Sequence, residues 1–489
     1  MPYDVFCGVD IGTTHIKVVM LGEDGSIVGM SRAPTPVTGD DHGACHDPEV
    51  VRVTTEGLIR QAQREAPGEP VIAAMAVTSM GEEGVPLDGH GALLYPSIAW
   101  YDRRDSPDGR AWTTRHPEEE LFAVSGLHKD LGMTLFKWLW LKSARPQVWE
   151  DCVAWLGIAD YLVWCWTGQR VMSVSHASRT GIFDISGFQW RPDWAAEVLR
   201  RGMETLPALR EGGESSGPLR KDSIDGVRTR PGAIIVATGL DHVIGAYAAG
   251  ILEPGQVLDS MGTAEALLQP VPAEQVAVAD VSTGVDFGLG VRPQSHLALA
   301  ALDTGAGITQ MLATLGASTL EQRVRLEAQA EQVGLGAGDL LYIPPRVRAG
   351  RGGVFFGHRV DHGAGHLYRA VQEGWCMAGA EALDAMGGGQ LQRDIVCIGG
   401  GSTSMLLTRI KASVLGRQLR VLRTPEVVAV GAALLAARSV GASALASWAP
   451  EEKTVDPVED WVQYYSELRT KFRERALLVH PEAGACPYP

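Results

Sequence analysis

The sequence predicts an α/β fold made of two related domains. Near the N-terminus, an apolar strand at 5–10 leads through a Gly-Thr turn into a second strand at 16–21. The same design returns at 256–259, where a strand leads through another Gly-Thr turn into a strand at 264–268. Two units of one design about 250 residues apart indicate a duplication. Short strands mixed with long helices are typical of a sheet that contains parallel strands and is flanked by helices.

Further strands and helices follow each unit. Turn residues and hydrophobic periodicity predict strands at 27–30, 71–78, 233–238 and 395–398. The same criteria predict helices at 48–65, 243–252, 320–333, 367–386 and 456–475, and one that ends near Leu415 and is closed by Gly416. The stretch 211–231, rich in Gly, Ser, Pro and charge, is typical of a linker. We therefore expect an N-terminal domain over 1–238, a C-terminal domain over 239–442, and a helical tail over 443–489 that packs on the C-terminal domain.

Size, composition and charge narrow the class of protein. The chain has 489 residues, enough for two sizeable hydrophobic cores. Its net charge of −15 argues against nucleic acid or an anionic membrane surface as a partner, because both require a basic surface. Seven scattered cysteines without a CxxC pair indicate reduced thiols. The N-terminus is unlike a signal peptide, and the longest uncharged apolar runs, near 11 residues, are too short to span a bilayer. We expect a cytoplasmic protein.

The sequence contains none of several common nucleotide-binding or hydrolase motifs. No Lys follows a Gly, which excludes the GxxxxGK[ST] phosphate loop. HExxH is also absent, and no GxSxG elbow appears at a predicted strand-to-helix turn. The glycine-rich element that stands out is the run Gly399–Gly401, between a predicted strand and a predicted helix. Such a turn allows a flat ring or a phosphate to approach the backbone closely.

Four segments in order along the chain resemble the FGGY family of carbohydrate kinases. They are GVDIGTTHIKVVML (8–21), TGLDHVIGAYAAG (238–250) with VLDSMGTAEAL (257–267), RGGVFFGHRVDHGAGHLYRAVQEG (351–374), and CIGGGSTSMLLTRIKASVLG (397–416) with VVAVGAALLAA (427–437). The resemblance implies two ribonuclease-H-like domains of the actin-like ATPase fold that flank a central catalytic cleft. It also implies that ATP binds mainly to the C-terminal domain and the sugar mainly to the N-terminal domain.

Asp241 is the predicted catalytic residue. It lies between a predicted strand and a predicted apolar helix. The resemblance assigns it as the general base, and a carboxylate there can accept the proton of an attacking sugar hydroxyl. The alternative is that Asp241 only caps the helix, since Asp is among the best cap residues.

The two Gly-Thr turns are the predicted phosphate-binding elements. Backbone N–H and hydroxyl groups of Gly12, Thr13 and Thr14 on one side, and of Gly262 and Thr263 on the other, can hold phosphate without a Lys. Ordinary hairpin turns are the alternative. Asp10 is the predicted Mg²⁺ ligand, because hard cations prefer oxygen; otherwise it is a turn carboxylate that caps nearby N–H groups. The resemblance adds four nucleotide-binding residues: Gly305, Gly400, Gly401 and Ser404.

The acceptor side is predicted from two loops. In the segment MGEEG, one of Glu82 and Glu83 falls where the family places a sugar-binding side chain, and the spacing favours Glu82. A solvated loop carboxylate is the alternative. The segment IAWYDRR resembles a family motif, so Trp100 would stack on the sugar while Asp102 and Arg103 bind it or brace the site. For these two charged residues a surface ion pair is the alternative. His242, beside the predicted base, either contacts the substrate or only packs.

Together these residues predict a kinase that uses ATP and Mg²⁺ to phosphorylate a small sugar, most simply a ketose such as a pentulose. A polyol such as glycerol or a tetritol remains an alternative acceptor, because the loop MGEEG is neither the Met-His form of xylulokinases nor the Arg-Glu-Thr form of glycerol kinase. Two further alternatives are an actin-like ATPase that takes no sugar and a catalytically inactive sugar-binding regulator. A homodimer is the default expectation for the assembly.

Overall fold

The computed structural model describes residues 2–346, 352–387, 394–442, 448–481 and 488. Its first twelve strands are β1 (Pro2–Ile11), β2 (His15–Gly22), β3 (Ile27–Pro34), β4 (Thr38–Asp40), β5 (Gly43–His46), β6 (Glu69–Ser79), β7 (Val85–Leu87), β8 (Ser97–Ile98), β9 (Ala154–Leu156), β10 (Val171–Ser173), β11 (Phe183–Asp184) and β12 (Gln189–Trp190). The others are β13 (Ala208–Arg210), β14 (Ser215–Pro218), β15 (Thr229–Val236), β16 (Gln256–Met261), β17 (Glu265–Val271), β18 (Asp286–Leu289), β19 (His296–Leu302), β20 (Leu341–Ile343), β21 (Val354–Phe356), β22 (Asp394–Ile398), β23 (Leu419–Leu422) and β24 (Glu452–Val455).

Helices cover much of the remaining chain. They are α1 (Pro48–Glu65), α2 (Pro107–Arg115), α3 (Glu118–Ser125), α4 (Thr134–Ala144), α5 (Pro146–Asp151), α6 (Ile158–Thr167), α7 (Val174–Ala177), α8 (Pro192–Val198), α9 (Asp241–Ala248), α10 (Ala273–Ala277), α11 (Thr304–Thr314), α12 (Leu320–Val333), α13 (Ala364–Ala385), α14 (Met405–Leu415), α15 (Val427–Ser439) and α16 (Glu459–Val479). Within the described ranges, none of these helices is long and apolar enough to cross a bilayer.

Two mixed sheets carry the architecture, and they share one strand order. The first sheet runs β14-β15-β6-β1-β2-β3 and the second β18-β19-β17-β16-β22-β23-β24. In each sheet a central strand pairs antiparallel with the next strand along the chain, β1 with β2 and β16 with β17. On its other side the same central strand pairs parallel with a later strand, β6 or β22. The repeated order confirms the prediction of an α/β fold with two related domains.

Two helices, α9 and α15, pack between the two sheets. Each follows the equivalent strand of its sheet, β15 or β23, and their buried residues form one hydrophobic cluster with residues of both sheets. Glycines allow the backbones to meet. A Cβ on Gly8 of β1 would lie 1.9 Å from the carbonyl oxygen of Ala429, and one on Gly431 would lie 2.7 Å from that of Ile244. This close contact fixes the first sheet relative to the second domain. The candidate site lies at the ends of the strands of that sheet.

Several element limits differ from the sequence prediction for physical reasons. The stretch 211–231 is not a linker, since it contains β14 and the start of β15, which pair with each other and extend the first sheet. Sheet pairing supplies the backbone hydrogen bonds that composition alone did not suggest. The helix predicted at 243–252 starts at Asp241 and ends at Ala248, because Gly250 takes a left-handed conformation with φ +72°. The domain limits at 238 and 442 remain predictions.

The terminal helix lies within a few residues of its predicted limits. The sequence predicts 456–475, and α16 covers Glu459–Val479. Trp461, Tyr464 and Leu468 lie on one face and pack against the core cluster that includes the second sheet.

Asp160, in the first turn of α6, is a buried carboxylate that lowers stability at neutral pH. Asp160 is 7% exposed, its Oδ2 has no hydrogen-bond partner among the described residues, and burial raises its pKa from 3.8 to about 7. Between these two values the folded state holds a proton that the unfolded chain releases, so Asp160 destabilises the fold increasingly as pH rises. We expect Asp160→Asn to raise the free energy of unfolding, with an advantage that grows by roughly 2 kcal/mol from about pH 5 to about pH 8.

Denaturant unfolding of both proteins across that pH range measures the effect. Asp193, in the first turn of α8, is the matched control, because its bond to Arg191 lowers its pKa to about 2. Asp193→Asn therefore gains no stability toward high pH. A gain in stability from Asp160→Asn that does not change with pH would contradict the raised pKa of Asp160.

Candidate active site

The candidate site lies where β1, β6 and β15 end in the first domain and the β16–β17 hairpin approaches from the second. The chain after β15 returns to β6, because the hydroxyl of Thr78 donates to the carbonyl oxygen of Gly239 at 2.6 Å and Leu240 forms an isolated bridge with Ser79. Asp241 follows directly. The base predicted from the sequence is therefore carried at the edge of the first sheet that faces the cleft.

The two Gly-Thr turns meet across this cleft. Both are tight: the Gly12 N–H donates to the carbonyl oxygen of His15 at 3.1 Å, and the Gly262 N–H donates to that of Ser260 at 3.0 Å. Oγ1 of Thr14 lies 3.3 Å from Oγ1 of Thr263. The two hairpins that are predicted from the sequence to bind phosphate thus lie side by side, one from each domain.

Gly305 supports the second turn by close packing. A Cβ there would lie 2.0 Å from the carbonyl oxygen of Gly262, so a larger residue cannot fit without displacing the turn. The next residue, Ala306, donates its N–H to the carbonyl oxygen of Thr263 at 2.9 Å. The first turn of α11 therefore rests on the turn that contains Gly262 and Thr263.

Asp10 forms an ion pair that the sequence analysis missed. Its Oδ2 accepts from Nζ of Lys17 at 2.9 Å, and Asp10 raises the pKa of Lys17 above its ordinary value. The signal was present in the sequence, because a tight turn at 12–14 places Lys17 opposite Asp10 in the β1–β2 register. Lys17 also lies 3.8 Å from Glu426 in the second domain. The cleft therefore contains a cation beside the hairpin even though the chain has no GxxxxGK motif.

The chemistry around Asp10 fits a hard cation. Oδ1 of Asp10 is buried without a hydrogen-bond partner among the described residues. The observed bond to Lys17 also differs from the alternative in which Asp10 caps N–H groups of Thr13 and Thr14. No cluster of three or more His, Cys, Asp or Glu side chains suited to a metal occurs in the described part of the chain. Asp10 would thus hold Mg²⁺ together with phosphate and water oxygens rather than in a cage of protein ligands.

Asp241 is the first residue of α9 and not its cap. The cap position belongs to Leu240, and the Asp241 carboxylate accepts instead from the N–H of His242 at 2.7 Å. Its side chain is 18% exposed. Burial raises the pKa of Asp241, as does Asp10, while His242 and Lys17 oppose the shift. The carboxylate is thereby a stronger proton acceptor than an ordinary Asp.

His242 connects the base to the second sheet. Its Nδ1 lies 3.1 Å from Oγ of Ser260 on β16. Its Nε2 lies 3.9 Å from Asp241 Oδ1. Packing and orientation account for both contacts, and a role in substrate binding stays a prediction.

The glycine-rich turn fits against the same hairpin. Gly399 has φ +89°, and a Cβ on it would lie 2.9 Å from the carbonyl oxygen of Met261. A Cβ on Gly400 would meet nothing within 4 Å, so this part of the turn is open to a ligand. Ser404 caps α14 by accepting from the N–H of Leu407 at 3.1 Å, and it donates to Glu327. The structure therefore gives Ser404 a structural role, while Gly400 and Gly401 remain candidates for nucleotide contact.

A buried ion cluster joins this hairpin to α14. Nζ of Lys411 lies 2.5 Å from Asp259 Oδ2 and 2.6 Å from Glu265 Oε1, and all three side chains are buried. Burial raises the pKa of Asp259 to about 7. The cluster fixes the strands on both sides of the Gly262 turn to the helix that follows the glycine-rich turn.

The two candidate glutamates on the acceptor side have different environments. Glu83 is buried, and its oxygens accept from the N–H of Trp100 at 3.0 Å and contact Nδ1 of His46 at 2.8 Å. Glu82 is 15% exposed and adopts φ +61°, which is strained for a residue other than Gly. Lys137 donates to its carbonyl oxygen at 2.8 Å. The geometry favours Glu82 for substrate contact and gives Glu83 a structural role.

Trp100 connects the acceptor loop to the first phosphate hairpin. Its indole Nε1 donates to Oγ1 of Thr13 at 2.9 Å. Asp102 is buried and accepts from the N–H of Ala44 and from the guanidinium of Arg104, which leaves it a bracing role. Arg103 forms the partly exposed ion pair of the alternative interpretation, 3.1 Å from Asp130.

Two further side chains near Glu82 were not found from the sequence. Lys137 is buried and donates to the carbonyl oxygens of Glu82 and Ile98, so it holds both acceptor loops, and burial lowers its pKa to about 8. Arg179 donates from Nε to Glu82 Oε1 at 2.7 Å. Both residues are far from residue 82 in the chain, and no local pattern marks them.

Comparisons with known proteins identify the family of this chain. Residues 5–248 match the N-terminal domain model, and residues 297–440 the C-terminal domain model, of the FGGY family of carbohydrate kinases. The protein belongs to this family. The kinase is 26% identical to a xylulose kinase of Escherichia coli K12 over 447 residues, which is 88% of this chain and 89% of the relative. It is 29% identical to a glycerol kinase of Myxococcus xanthus over 461 residues, 88% of this chain and 90% of the relative.

A solved structure shows the same fold. The crystal structure of xylulose kinase from Rhodospirillum rubrum superposes with a TM-score of 0.86 at 23% identity, covering 98% of this chain and 99% of the other. The kinase therefore has the predicted actin-like ATPase fold of two domains. As a member of the family it is a phosphotransferase that uses ATP and acts on an alcohol group of a small sugar or polyol.

Proposed function

We propose that this kinase transfers the γ-phosphoryl group of ATP to a hydroxyl of a ketose such as a pentulose, with Asp241 as the general base. The oxygen of the acceptor attacks the phosphorus, the bond to the bridging oxygen breaks, and ADP leaves. Asp241 receives the proton of the attacking hydroxyl. The raised pKa of its carboxyl group supports this assignment, because the acceptor proton then moves to a more basic group.

The phosphates would be held by the two Gly-Thr turns and Lys17. The hydroxyls of Thr14 and Thr263 lie 3.3 Å apart, and with the turn N–H groups and the hydroxyl of Thr13 they are donors that phosphate oxygens can accept from. Lys17 contributes a positive charge at the same place. Mg²⁺, when bound with the nucleotide, neutralises charge on the phosphate oxygens. Asp10, with its unpartnered Oδ1, is the residue that would hold it.

The observation that carries the sugar-kinase proposal is the hydrogen bond between Trp100 and Thr13. It ties the acceptor loop directly to the phosphate hairpin at 2.9 Å. An actin-like ATPase that takes no sugar has no need of such a loop at its phosphates. A catalytically inactive regulator has no need of a base with a raised pKa beside paired phosphate turns.

The ketose is preferred over a polyol because several relatives are xylulose kinases, among them those of Escherichia coli K12, Klebsiella pneumoniae and Bacillus subtilis. The 29% identity to a glycerol kinase supports glycerol or a tetritol as the second candidate acceptor.

A coupled assay of ADP release tests the proposal. Pentuloses, hexuloses, tetritols, glycerol and aldonates are each supplied with ATP and Mg²⁺, and ATP turnover without acceptor is the blank. We expect turnover to rise at least about tenfold with one or more pentuloses. The Asp241→Asn protein, assayed in parallel, reports any contaminating kinase.

Each other outcome contradicts part of the proposal. Higher kcat/KM with a tetritol or glycerol would replace the ketose by the polyol. ATP turnover that no acceptor stimulates would reject the sugar-kinase function in favour of an ATPase.

A further inference from the structure

Arg179 is an incompletely satisfied guanidinium beside the acceptor loop. Its Nε donates to Glu82 Oε1 at 2.7 Å, and its Nη2 lies 3.8 Å from Asp286 Oδ2. Its Nη1 is buried and has no hydrogen-bond partner among the residues that the structure describes. Leaving such a donor unpaired is costly, because a buried charged group loses its hydration without gaining a partner. An arrangement with this cost requires a partner that arrives with the ligand or some other compensation.

The aliphatic stem of Arg179 packs between the acceptor loop and the residue that precedes the predicted base. A Cβ built on Gly81 would lie 3.4 Å from Cγ of Arg179 and 2.9 Å from Cδ1 of Leu240. Leu240 directly precedes Asp241, and Gly81 directly precedes Glu82. The stem of Arg179 therefore packs where the acceptor loop meets the segment of the base.

Glu82 is held in a strained conformation at the same point. Its φ of +61° is maintained by two bonds to its carbonyl oxygen, from Thr134 at 3.0 Å and Lys137 at 2.8 Å. Strain of this kind persists where the surrounding structure over-determines it, and it concentrates at functional sites. The supports fix the backbone and leave the carboxylate to orient Arg179.

The charges around Arg179 indicate which ligand fits. Its single positive charge is paired with Glu82 and lies near Asp286 and Asp130. A ligand carboxylate would add a further negative charge to this group. A hydroxyl accepts a hydrogen bond from Nη1 without that penalty, and it can donate a hydrogen bond to a carboxylate oxygen.

We propose that Arg179 and Glu82 together recognise a hydroxyl of an uncharged polyhydroxy acceptor and exclude sugar acids. Arg179 donates a hydrogen bond from Nη1 to the hydroxyl oxygen, and the hydroxyl in turn donates a hydrogen bond to the Glu82 carboxylate. Arg179 is thus a specificity-determining residue of the acceptor pocket. This inference rests on the proposed function and names the chemical class of its acceptor.

The test measures acceptor discrimination in the full-length kinase. The probes are the neutral acceptor with the highest turnover, its monodeoxy analogues, and xylonate and gluconate as acids. We expect wild type to lose about 10–100-fold in kcat/KM with one monodeoxy analogue. Arg179→Met should raise the KM of the parent acceptor by a similar factor, leave the KM of ATP unchanged, and show no further loss with that analogue. A purely structural role of Arg179 would not abolish discrimination at a single hydroxyl.

Two further variants complete the design. Arg179→Lys keeps the charge without the planar fork and should recover part of the affinity for the acceptor. Arg230→Met is the matched control, because Arg230 is an exposed arginine on β15 that pairs with Asp4. It should match wild type with every probe.

The outcomes separate this inference from the proposed function. If wild type turns over no acceptor, the proposed function fails, and the inference fails with it. If wild type turns over a neutral sugar but prefers xylonate or gluconate, or if Arg179→Met discriminates as wild type does, only the inference is overturned. Should Arg179→Met not fold, Arg179→Lys and the wild-type analogue series decide. Equal kcat/KM for all monodeoxy analogues in wild type rejects the inference.

Discussion

Replacing Asp241 with Asn is expected to lower kcat by about 10²–10⁴-fold, because the amide cannot take the proton of the acceptor hydroxyl. Asn has nearly the same shape and can still accept from the N–H of His242, so the first turn of α9 should be unchanged. The KM for ATP should stay near the wild-type value, since the phosphate turns are intact. Steady-state kinetics with the best acceptor measures both constants.

Stability provides an internal control for this variant. The raised pKa means that the charged Asp241 carboxylate destabilises the folded state at neutral pH. Asp241→Asn should therefore be at least as stable as wild type, and its loss of activity cannot be ascribed to unfolding. Asp151→Asn, at an exposed carboxylate at the end of α5, should retain wild-type kcat. An Asp241→Asn protein with wild-type kcat would reject Asp241 as the base.

The pH profile of the wild-type enzyme should contain a matching acidic limb. Asp241 acts only when ionised, so kcat/KM should fall as pH decreases through the pKa of its carboxyl group. Burial and Asp10 place that pKa above the ordinary value of 3.8. The residual activity of Asp241→Asn should lack this limb.

Replacing Lys17 with Met is expected to lower kcat/KM for ATP by about 10²–10³-fold, the range found when one electrostatic donor is removed from a reacting oxyanion. The variant removes the positive charge beside the two phosphate turns. It also leaves the buried Asp10 without its 2.9 Å partner, so the folded state should lose stability as well. Kinetics with varied ATP and thermal unfolding measure the two effects separately.

Two substitutions separate the charge of Lys17 from its shape. Lys17→Arg keeps the charge and should recover much of the activity. Lys142→Met removes a partly exposed lysine that pairs with Asp108 at 3.7 Å, and it should behave as wild type. Unchanged kinetic constants for Lys17→Met would show that Lys17 only neutralises Asp10 and takes no part in binding phosphate.

Local signals account for the elements that the sequence predicted best. The limits of α1 agree with prediction because Asp47 caps its N-terminus and Pro48 begins it. Those of α12 agree because Thr319 and Gln322 form a capping box. The two Gly-Thr hairpins followed from alternating apolar residues around a turn. These signals act within a few residues, so a single chain segment contains all the information they need.

Contacts between distant segments account for what the sequence did not show. The pairing of Lys17 with Asp10 could have been predicted, because the tight turn at 12–14 sets a hairpin register in which the two residues lie opposite each other. Arg179 is different, because it meets Glu82 only after α7 reaches the end of β6, where His176 lies 3.2 Å from the carbonyl oxygen of Ser79. The linker-like stretch at 211–231 became part of the first sheet because β6 offered a free edge for pairing.

The sequence by itself determined the family, the duplicated α/β design, and Asp241, Asp10 and the Gly-Thr turns as candidates. Motif order and local periodicity suffice for these. Only the tertiary structure showed that Asp241 is not a cap, that Glu83 is buried whereas Glu82 is partly exposed, and that Asp102 pairs with Arg104. It also showed that Arg179 pairs with Glu82, and that its Nη1 has no hydrogen-bond partner in the described part of the chain. The burial, ion pairing and pKa of these side chains depend on their neighbours, and packing between segments distant in sequence determines which neighbours they have.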